Sequence, residues 1–308
     1  MSETLILVAG RAAGWSVAAD RLKARQTRAR WVVFGLSIAG ALGAAIASQI
    51  PTNQADSMRE VHRDIAVAAA VLLGLATLFS HRFLGKANIV PWTRARAASE
   101  ALKREAFRFA AAAKPYAGDD LKKTEAALNA ARDAIETAAS KFARPVDHPD
   151  RAGSAPRERL TPQQYRAQRL TAAIEKFYLP KAASYEATAK WLRFAEFALA
   201  LVATVVTACA GAFGKSDEPF GVSFDLSALT AVLTTVSGAI LAHIEASRLD
   251  HLVDTYSATA RRLQDLDLTF AAASVDKDKE PWSVFVNKCE DIIAAENASW
   301  TAKWIDGK

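Results

Sequence analysis

Four uncharged apolar stretches interrupt an otherwise polar, alanine-rich chain of 308 residues. They cover residues 31–50, 65–80, 197–214 and 226–244. Each is close to the roughly 20 residues that a helix needs to cross about 30 Å of hydrocarbon. The second stretch is the shortest. It can still cross the bilayer if the side chains of His81 and Arg82 reach out to the interface, which extends the span to about residue 82. The pattern predicts an all-α polytopic membrane protein with two transmembrane helical hairpins (four spans) and long cytoplasmic helices.

The basic residues predict the orientation of these spans. Of the 39 Lys and Arg residues, only Arg59, Arg63 and Lys215 lie in the two loops that join paired spans, which leaves 36 on the other side. Because Lys and Arg next to a span stay in the cytoplasm, we expect both termini and residues 82–192 to be cytoplasmic. The expected location is the inner (plasma) membrane. This topology accounts for most of the net charge of +6, which therefore gives little support to nucleic-acid binding.

The two halves of the chain resemble each other. An offset of 161 residues aligns Ile65 with Leu226 at the start of the second span of each hairpin, and without a gap it also aligns Phe109 with Phe270. The alternative is two unrelated hairpins, because alanine matches are common in such a chain. The predicted division is a first module over residues 1–143, a proline-containing linker over 144–160, and a second module over 161–308 with spans at about 196–214 and 226–244.

Helices are also predicted outside the spans. Their approximate ranges are 93–113, 119–142, 162–196, 245–274 and 281–304. Thr161, Pro162 and Gln164 have the spacing of a capping box at a helix start. Trp282, Phe285 and Cys289 begin an apolar stripe at helical spacing along the last helix. No segment has a strong case for a strand.

Five segments carry a resemblance to a known family. They are Trp92–Lys103, Phe107–Tyr116, Gln168–Trp191, Tyr256–Leu263 and Phe285–Trp300. These segments resemble the SLATT membrane domains, bacterial hairpin modules associated with nucleotide-signalling and anti-phage defence operons. The resemblance covers nearly the whole chain as two tandem copies. It implies an oligomeric, pore-forming effector of abortive infection, gated by a nucleotide or oligonucleotide signal from a partner nucleotidyltransferase.

Hydroxyl and carboxylate side chains mark a candidate ion path. In the fourth span, hydroxyl residues recur at i, i+3, i+7 and i+10, which places them on one helix face. Such a stripe can replace water around an ion, or it can hydrogen-bond to a neighbouring helix or its own backbone. Two carboxylates at the cytoplasmic span ends favour cations, although interfacial solvation explains them nearly as well. The candidate pore-lining residues are Ser227, Thr230, Thr234, Ser237, Glu196 and Glu245.

Small residues recur every four positions in the first span, at Gly35, Ala39, Gly43 and Ala47. This spacing lets helices approach closely, within one subunit or between subunits. Four spans are too few to enclose a polar path, so a pore requires several copies. We expect a homo-oligomer, with a tetramer as the first choice.

A phosphate-bearing signal requires fixed positive charge, and the planar guanidinium of arginine binds two phosphate oxygens at once. The candidate ligand-binding residues are Arg94, Arg96, Lys103, Arg104, Arg108, Arg261 and Arg262. The alternative is a solvated helix face attracted to anionic lipid. Tyr165, Tyr178 and Tyr185 are candidates for base stacking or, more simply, for packing.

Enzyme chemistry has little support in the sequence. The five histidines have no metal-ligand spacing, and neither a phosphate-cradling glycine loop nor a nucleophile motif is present. We therefore expect no enzymatic activity, no cofactor and no metal, with the lipid bilayer, further copies, the signal and its synthase as partners. Two other interpretations remain: a non-conducting scaffold that anchors a signalling partner, and a transporter or lipid-modifying enzyme. A transporter would be expected to carry a charged residue near the bilayer midplane. The predicted spans have charged residues only at their ends, which argues against this interpretation.

Overall fold

A computed structural model describes residues 2–50, 56–146, 154–213, 226–272 and 279–305. The described residues form helices and no strands, as the sequence predicts. Two π-helical segments, Arg166–Thr171 and Ile174–Tyr178, connect α5 to α6. The α-helices are α1 Glu3–Gln49, α2 Asp56–Leu84, α3 Lys86–Ala110, α4 Leu121–Ser140, α5 Pro162–Tyr165, α6 Leu179–Phe213, α7 Leu226–Ser247, α8 Leu249–Ala272 and α9 Lys279–Ile305.

Local sequence signals account for the helix boundaries. The predicted capping box is confirmed, because Thr161 Oγ1 accepts from the backbone N of Gln164 and Gln164 Oε1 accepts from the backbone N of Thr161. Asp120 caps α4 by accepting from the backbone N of Lys123 at 3.1 Å. These side chains satisfy backbone donors that the first helical turn leaves without partners.

Among the described residues, four stretches of helix are long and apolar enough to cross a membrane. They lie within Glu3–Gln49, Asp56–Ala110, Pro162–Ala212 and Leu229–Ala271, and each overlaps one of the predicted spans over most of its length. Only 6% to 18% of the most apolar 18-residue window in each is buried within the chain. A soluble helix would bury such a surface against its own core, so these windows fit contact with lipid.

The chain divides into two compact units. The helical unit comprises Met1–Gln26, Lys86–Ala183 and Leu252–Lys308. The span unit comprises Thr27–Gly85 and Ser184–His251. Each predicted sequence module contributes segments to both units, so the sequence repeat and the division by contacts are separate properties of the chain.

Within the helical unit, α3 packs against α4 and α9. The first part of α1 completes this core, with Trp15 buried and its Nε1 donating to Glu136 Oε1 at 2.9 Å. The buried Ser99 hydroxyl of α3 donates to the carbonyl oxygen of Ala12 at 2.9 Å. The sequence reasoning did not assign this N-terminal segment to a core, although Leu5, Val8, Ala12 and Trp15 have helical spacing.

Within the span unit, small residues bring α1 close to α2. A Cβ on Gly40 would lie 2.7 Å from Leu73 Cγ, and a Cβ on Gly43 would lie 3.2 Å from that of Ala69. A Cβ on Gly35 would meet nothing within 4 Å. The predicted small-residue packing is therefore used inside the chain at Gly43, whereas the Gly35 end of the same stripe is open.

A second contact group in the span unit joins α6, α7 and the first residue of α8. The buried residues Leu192, Ile240, Ile244 and Leu249 pack together, and Phe34 of α1 packs against them. These contacts hold α6 and α7 side by side as the second hairpin, which positions the groove described below.

Candidate functional site

A groove lined by hydroxyls and small side chains runs between α6 and α7 in the span unit. Its volume is about 510 Å³. Five hydroxyl residues and three alanines line it: Thr204, Thr207, Thr230, Thr234, Ser237, Ala200, Ala203 and Ala208. The alanines leave room beside the hydroxyls, so the groove presents a polar surface within a segment that is otherwise apolar.

Most of these hydroxyls donate to their own helix. Thr204 Oγ1 donates to the carbonyl oxygen of Ala200 at 2.9 Å. Thr207 Oγ1 donates to the carbonyl oxygen of Ala203 at 2.8 Å. Thr234 Oγ1 likewise donates to the carbonyl oxygen of Thr230 at 2.9 Å. The sequence left open whether the hydroxyls of the fourth span contact an ion or bond to their own backbone, and the Thr234 bond is of the second kind. Because a hydroxyl oxygen has two lone pairs, each still offers an acceptor toward the groove.

The two helices also meet through polar atoms. The Oγ1 atoms of Thr207 and Thr230 lie 3.3 Å apart. Eleven residues earlier on α6, Glu196 Oε1 accepts a 3.3 Å hydrogen bond from the buried Ser237 hydroxyl. At 1.5 Å per residue, the groove therefore extends about 16 Å from Glu196 to Thr207, roughly half the thickness of the hydrocarbon core.

The structure brings together four of the six candidate pore-lining residues. Thr230, Thr234 and Ser237 line the groove, and Glu196 bonds to Ser237 at one end. Glu245 is exposed, eight residues beyond Ser237 on α7. The side chain of Ser227 lies outside the described residues. Whether an ion passes these side chains stays a prediction.

Thr204 and Thr207 are groove residues that the sequence reasoning missed. They lie three residues apart in the third span, so the periodicity used for the fourth span would have placed them on one face. Their pairing with the α7 stripe depends on the antiparallel register of the hairpin, which helix periodicity alone does not give.

The seven candidate nucleotide-binding residues do not form one open basic site. Arg96 and Lys103 both pair with Glu100, at 3.3 and 3.0 Å. Arg104 and Arg108 both pair with Glu105, at 3.2 and 3.4 Å. Nearby carboxylates therefore pair with four of the five candidate cations on α3.

The remaining candidates are exposed. The Arg94 guanidinium lies 5.3 Å from the centre of the Phe142 ring, and Arg261 and Arg262 lie on the surface of α8. Arg108 also bonds to Asp291 of α9 at 2.8 Å. Arg94, Arg261 and Arg262 are thus the candidates best placed to meet a ligand from solvent, and their role stays a prediction.

The centre of the helical unit holds a buried ion pair. Arg169 donates two hydrogen bonds to Glu290, Nε to Oε1 at 2.9 Å and Nη2 to Oε2 at 2.7 Å. The Tyr165 hydroxyl donates to Glu290 Oε1 at 3.0 Å, and the Arg169 guanidinium lies 4.6 Å from the centre of the Phe107 ring. Tyr165 and Tyr178 are buried, which confirms packing as their role. Tyr185 packs partly buried against the α6–α7 contact group.

Two carboxyls near this pair have shifted pKa values of opposite sign. For Glu100, burial favours the neutral acid, but the cations Lys103, Arg96 and Arg169 outweigh it and lower the pKa to about 2. For Glu296, burial raises the pKa to about 7 despite the neighbouring Arg96 cation. Glu296 is therefore the acid in this cluster that changes charge near neutral pH.

The fold and the groove define the class of this chain: it is an all-α polytopic membrane protein. Residues 165–300 match the model of a family described as SMODS and SLOG-associating 2TM effector domain 1. This stretch contains α6 and α7, in agreement with the two transmembrane segments in that name. The predicted resemblance to SLATT domains is confirmed for the second half.

The first half matches a different family model. Residues 13–124 match a family described as protein of unknown function (DUF4231). Two tandem copies of one domain therefore stay a prediction. Neither the search of curated proteins nor the search of solved structures found a match to this chain.

Proposed function

We propose that this protein is an oligomeric membrane channel of bacterial anti-phage defence, opened by a nucleotide or oligonucleotide signal from a partner nucleotidyltransferase. The observation that carries the proposal is the hydroxyl-lined groove between α6 and α7. Polar side chains at membrane depth face protein or a water-filled path rather than lipid. In a single chain this groove is open on one side.

Further copies of the chain would cover the groove. A ring of identical subunits places the same face of each around a common axis, so every copy would contribute its hydroxyls to one path. We take four subunits as the starting expectation. The open Gly35 end of the α1 stripe offers a surface where neighbouring copies can approach closely.

The proposed topology has both termini in the cytoplasm. The helical unit is compact and is built from three chain segments that the two hairpins separate. Segments that pack into one water-soluble core share one side of the bilayer, which supports this topology. Trp191 and Phe194 are exposed just before the third span, as expected for aromatic residues at the interface on the same side as the basic clusters.

Gating by a nucleotide rests on the family name and on exposed charge. The name of the matched family refers to association with SMODS and SLOG proteins and to an effector role. Arg94, Arg261 and Arg262 supply exposed guanidinium groups suited to phosphate. In this proposal, the signal binds the helical unit and shifts the hairpins, and the resulting leak stops growth of the infected cell.

A non-conducting scaffold is the second candidate function. It is favoured by the backbone hydrogen bonds of Thr204, Thr207 and Thr234, because these hydroxyls are satisfied without an ion. The scaffold would still insert and oligomerise. It would pass no current, and its groove would tolerate apolar replacements.

Planar-bilayer recording of the purified full chain separates the two functions. Currents should appear on adding the nucleotide mixture made in vitro by the partner enzyme. Thr234→Val removes one groove hydroxyl at nearly constant volume and should lower the unitary conductance. Thr235→Val is the matched control, because Thr235 makes the same backbone bond, to Ala231 O at 2.7 Å, without lining the groove. Absence of current in every condition would reject the channel in favour of the scaffold.

A further inference from the structure

The α6–α7 groove ends on a carboxylate that is held in place. The Ser237 hydroxyl donates to one oxygen of Glu196 and thereby fixes the carboxyl beside the groove. The second oxygen, Oε2, is left to accept from water or to contact an ion. We propose that Glu196 and Ser237 form a site that selects cations over anions, an inference that rests on the proposed channel function.

The neighbouring cations on α6 do not cancel the Glu196 charge. Arg193, less than one turn earlier, forms an ion pair with Asp250. Lys190 pairs with Glu186 at 2.7 Å. Each pair is neutral as a unit, so Glu196 supplies a net negative charge at this end of the groove.

Two further cations lie in this part of the span unit. Arg30 and Arg248 are close enough that the charge of Arg248 contributes, after burial, to lowering the pKa of Arg30. Neither belongs to the described lining of the groove, which consists of α6 and α7 hydroxyls and alanines. Glu196 is connected to the groove through its hydrogen bond to Ser237, which does line it.

The rest of the groove suits a weakly held cation. Beyond Glu196 and Ser237 it offers neutral hydroxyl oxygens of Thr234, Thr230 and Thr207. Oxygen atoms replace the water around a passing cation, and conduction requires that the ion can also leave.

The size of the effect follows from simple electrostatics. A unit charge about 5 Å from an ion in a water-like dielectric changes the ion's occupancy roughly four-fold. Several copies around one axis would multiply this preference. We therefore expect a potassium-to-chloride permeability ratio of at least about four, and a ratio near one when the carboxylates are neutralised.

The test records reversal potentials of the full chain in a planar bilayer under a ten-fold KCl gradient. It compares wild type, Glu196→Gln and the control Glu175→Gln, which removes an exposed carboxylate of the helical unit, outside the proposed path. Spontaneous openings and openings driven by the partner enzyme's product mixture are both used. Wild type and Glu175→Gln should reverse at a potential shifted well away from zero toward the potassium equilibrium potential, and Glu196→Gln should reverse close to zero.

A second variant keeps the test independent of folding defects. Ser237→Ala retains the charge but frees the carboxyl, so selectivity should fall part of the way while assembled mass stays unchanged. A chloride-selective or non-selective wild-type current would overturn this inference and leave the channel standing. Unchanged selectivity in Glu196→Gln would also overturn it. Absence of any current would overturn both the site and the channel itself.

Discussion

Arg169 and Glu290, 121 residues apart in the chain, are joined by two hydrogen bonds of 2.9 and 2.7 Å in the interior of the helical unit. Glu290 is fully buried. Burial alone would lower the pKa of Arg169, but the charge of Glu290 and its hydrogen bonds outweigh this effect and raise that pKa above its ordinary value. The pair ties the start of the second half to α9. Both residues lie within the segment that matches the 2TM effector family.

The first prediction concerns this ion pair. Arg169→Met leaves the Glu290 charge buried without its partner, and such a change costs about 3–5 kcal/mol. The detergent-solubilised protein should lose roughly 10 °C in melting temperature at 2–4 °C per kcal/mol. The double variant Arg169→Met with Glu290→Leu removes both charges and should be clearly more stable than the single variant. A double variant as unstable as Arg169→Met would contradict the pairing.

The second prediction concerns pH and Glu296. Its folded pKa, about 7, lies above its ordinary value of 4.5, so the folded state binds the proton more tightly than the unfolded state. The resulting stabilisation is complete below about pH 4.5 and is lost as the pH rises to about 7, on the order of 3 kcal/mol in total. Glu296→Gln should therefore equal wild type in melting temperature near pH 5 and exceed it at pH 8.

Glu100→Gln is the control for the pH experiment. The pKa of Glu100 is lowered to about 2, so its ionised form stabilises the fold at all pH values above about 4.5. Glu100→Gln should lower the melting temperature equally at pH 5 and pH 8. A Glu296→Gln variant whose difference from wild type does not change with pH would show that Glu296 does not titrate in this range.

The third prediction separates packing within a chain from packing between chains. Gly40→Leu places a side chain against Leu73, where even a Cβ would lie 2.7 Å from Cγ. Overpacking of this kind costs about 1–3 kcal/mol, so folded yield should fall. At Gly35 an added Cβ would have no atom of the same chain within 4 Å, so Gly35→Leu should leave the monomer stable. If the Gly35 end contacts another copy, this variant alone will lower the assembled mass measured by light scattering in detergent.

The fourth prediction is the membrane topology. In a Cys209→Ala background, Ser154→Cys in the linker should resist an impermeant thiol reagent in intact spheroplasts, and Lys215→Cys should react. Cys289 can remain, because it is fully buried and burial raises its pKa to about 12, which suppresses the reactive thiolate. Labelling of the linker cysteine before permeabilisation would reverse the assignment.

The fifth prediction concerns the nucleotide site. Reversing Arg104 or Arg108 would place a new carboxylate beside Glu105, so loss of binding there would be mixed with loss of stability. Arg261→Gln with Arg262→Gln changes exposed charges only. This double variant should weaken binding of the partner's nucleotide product and reduce its salt dependence, because fewer counterions are released. Unchanged affinity across a salt series would place the site elsewhere, with Arg94 the next exposed candidate.

The sequence by itself determined the features that depend on local physics. Hydrocarbon requires about 20 apolar residues per span, so charge-free length was enough to locate the four candidate spans. The Thr161–Gln164 capping box was predictable because its partners are three residues apart. Helix periodicity likewise placed Thr230, Thr234 and Ser237 on one face, and all three line the groove.

Only the tertiary structure decided which distant residues meet. The sequence presented Arg108 as an available cation, but packing pairs it with Asp291 of α9, 183 residues further along the chain. It also left Glu196 as one of two carboxylates at span ends, whereas the hairpin register pairs it with Ser237 and leaves Glu245 exposed. The physical reason is that the spacing of residues along a helix determines which side chains share a face. The crossing angle and register of packed helices determine which residues of other helices that face contacts.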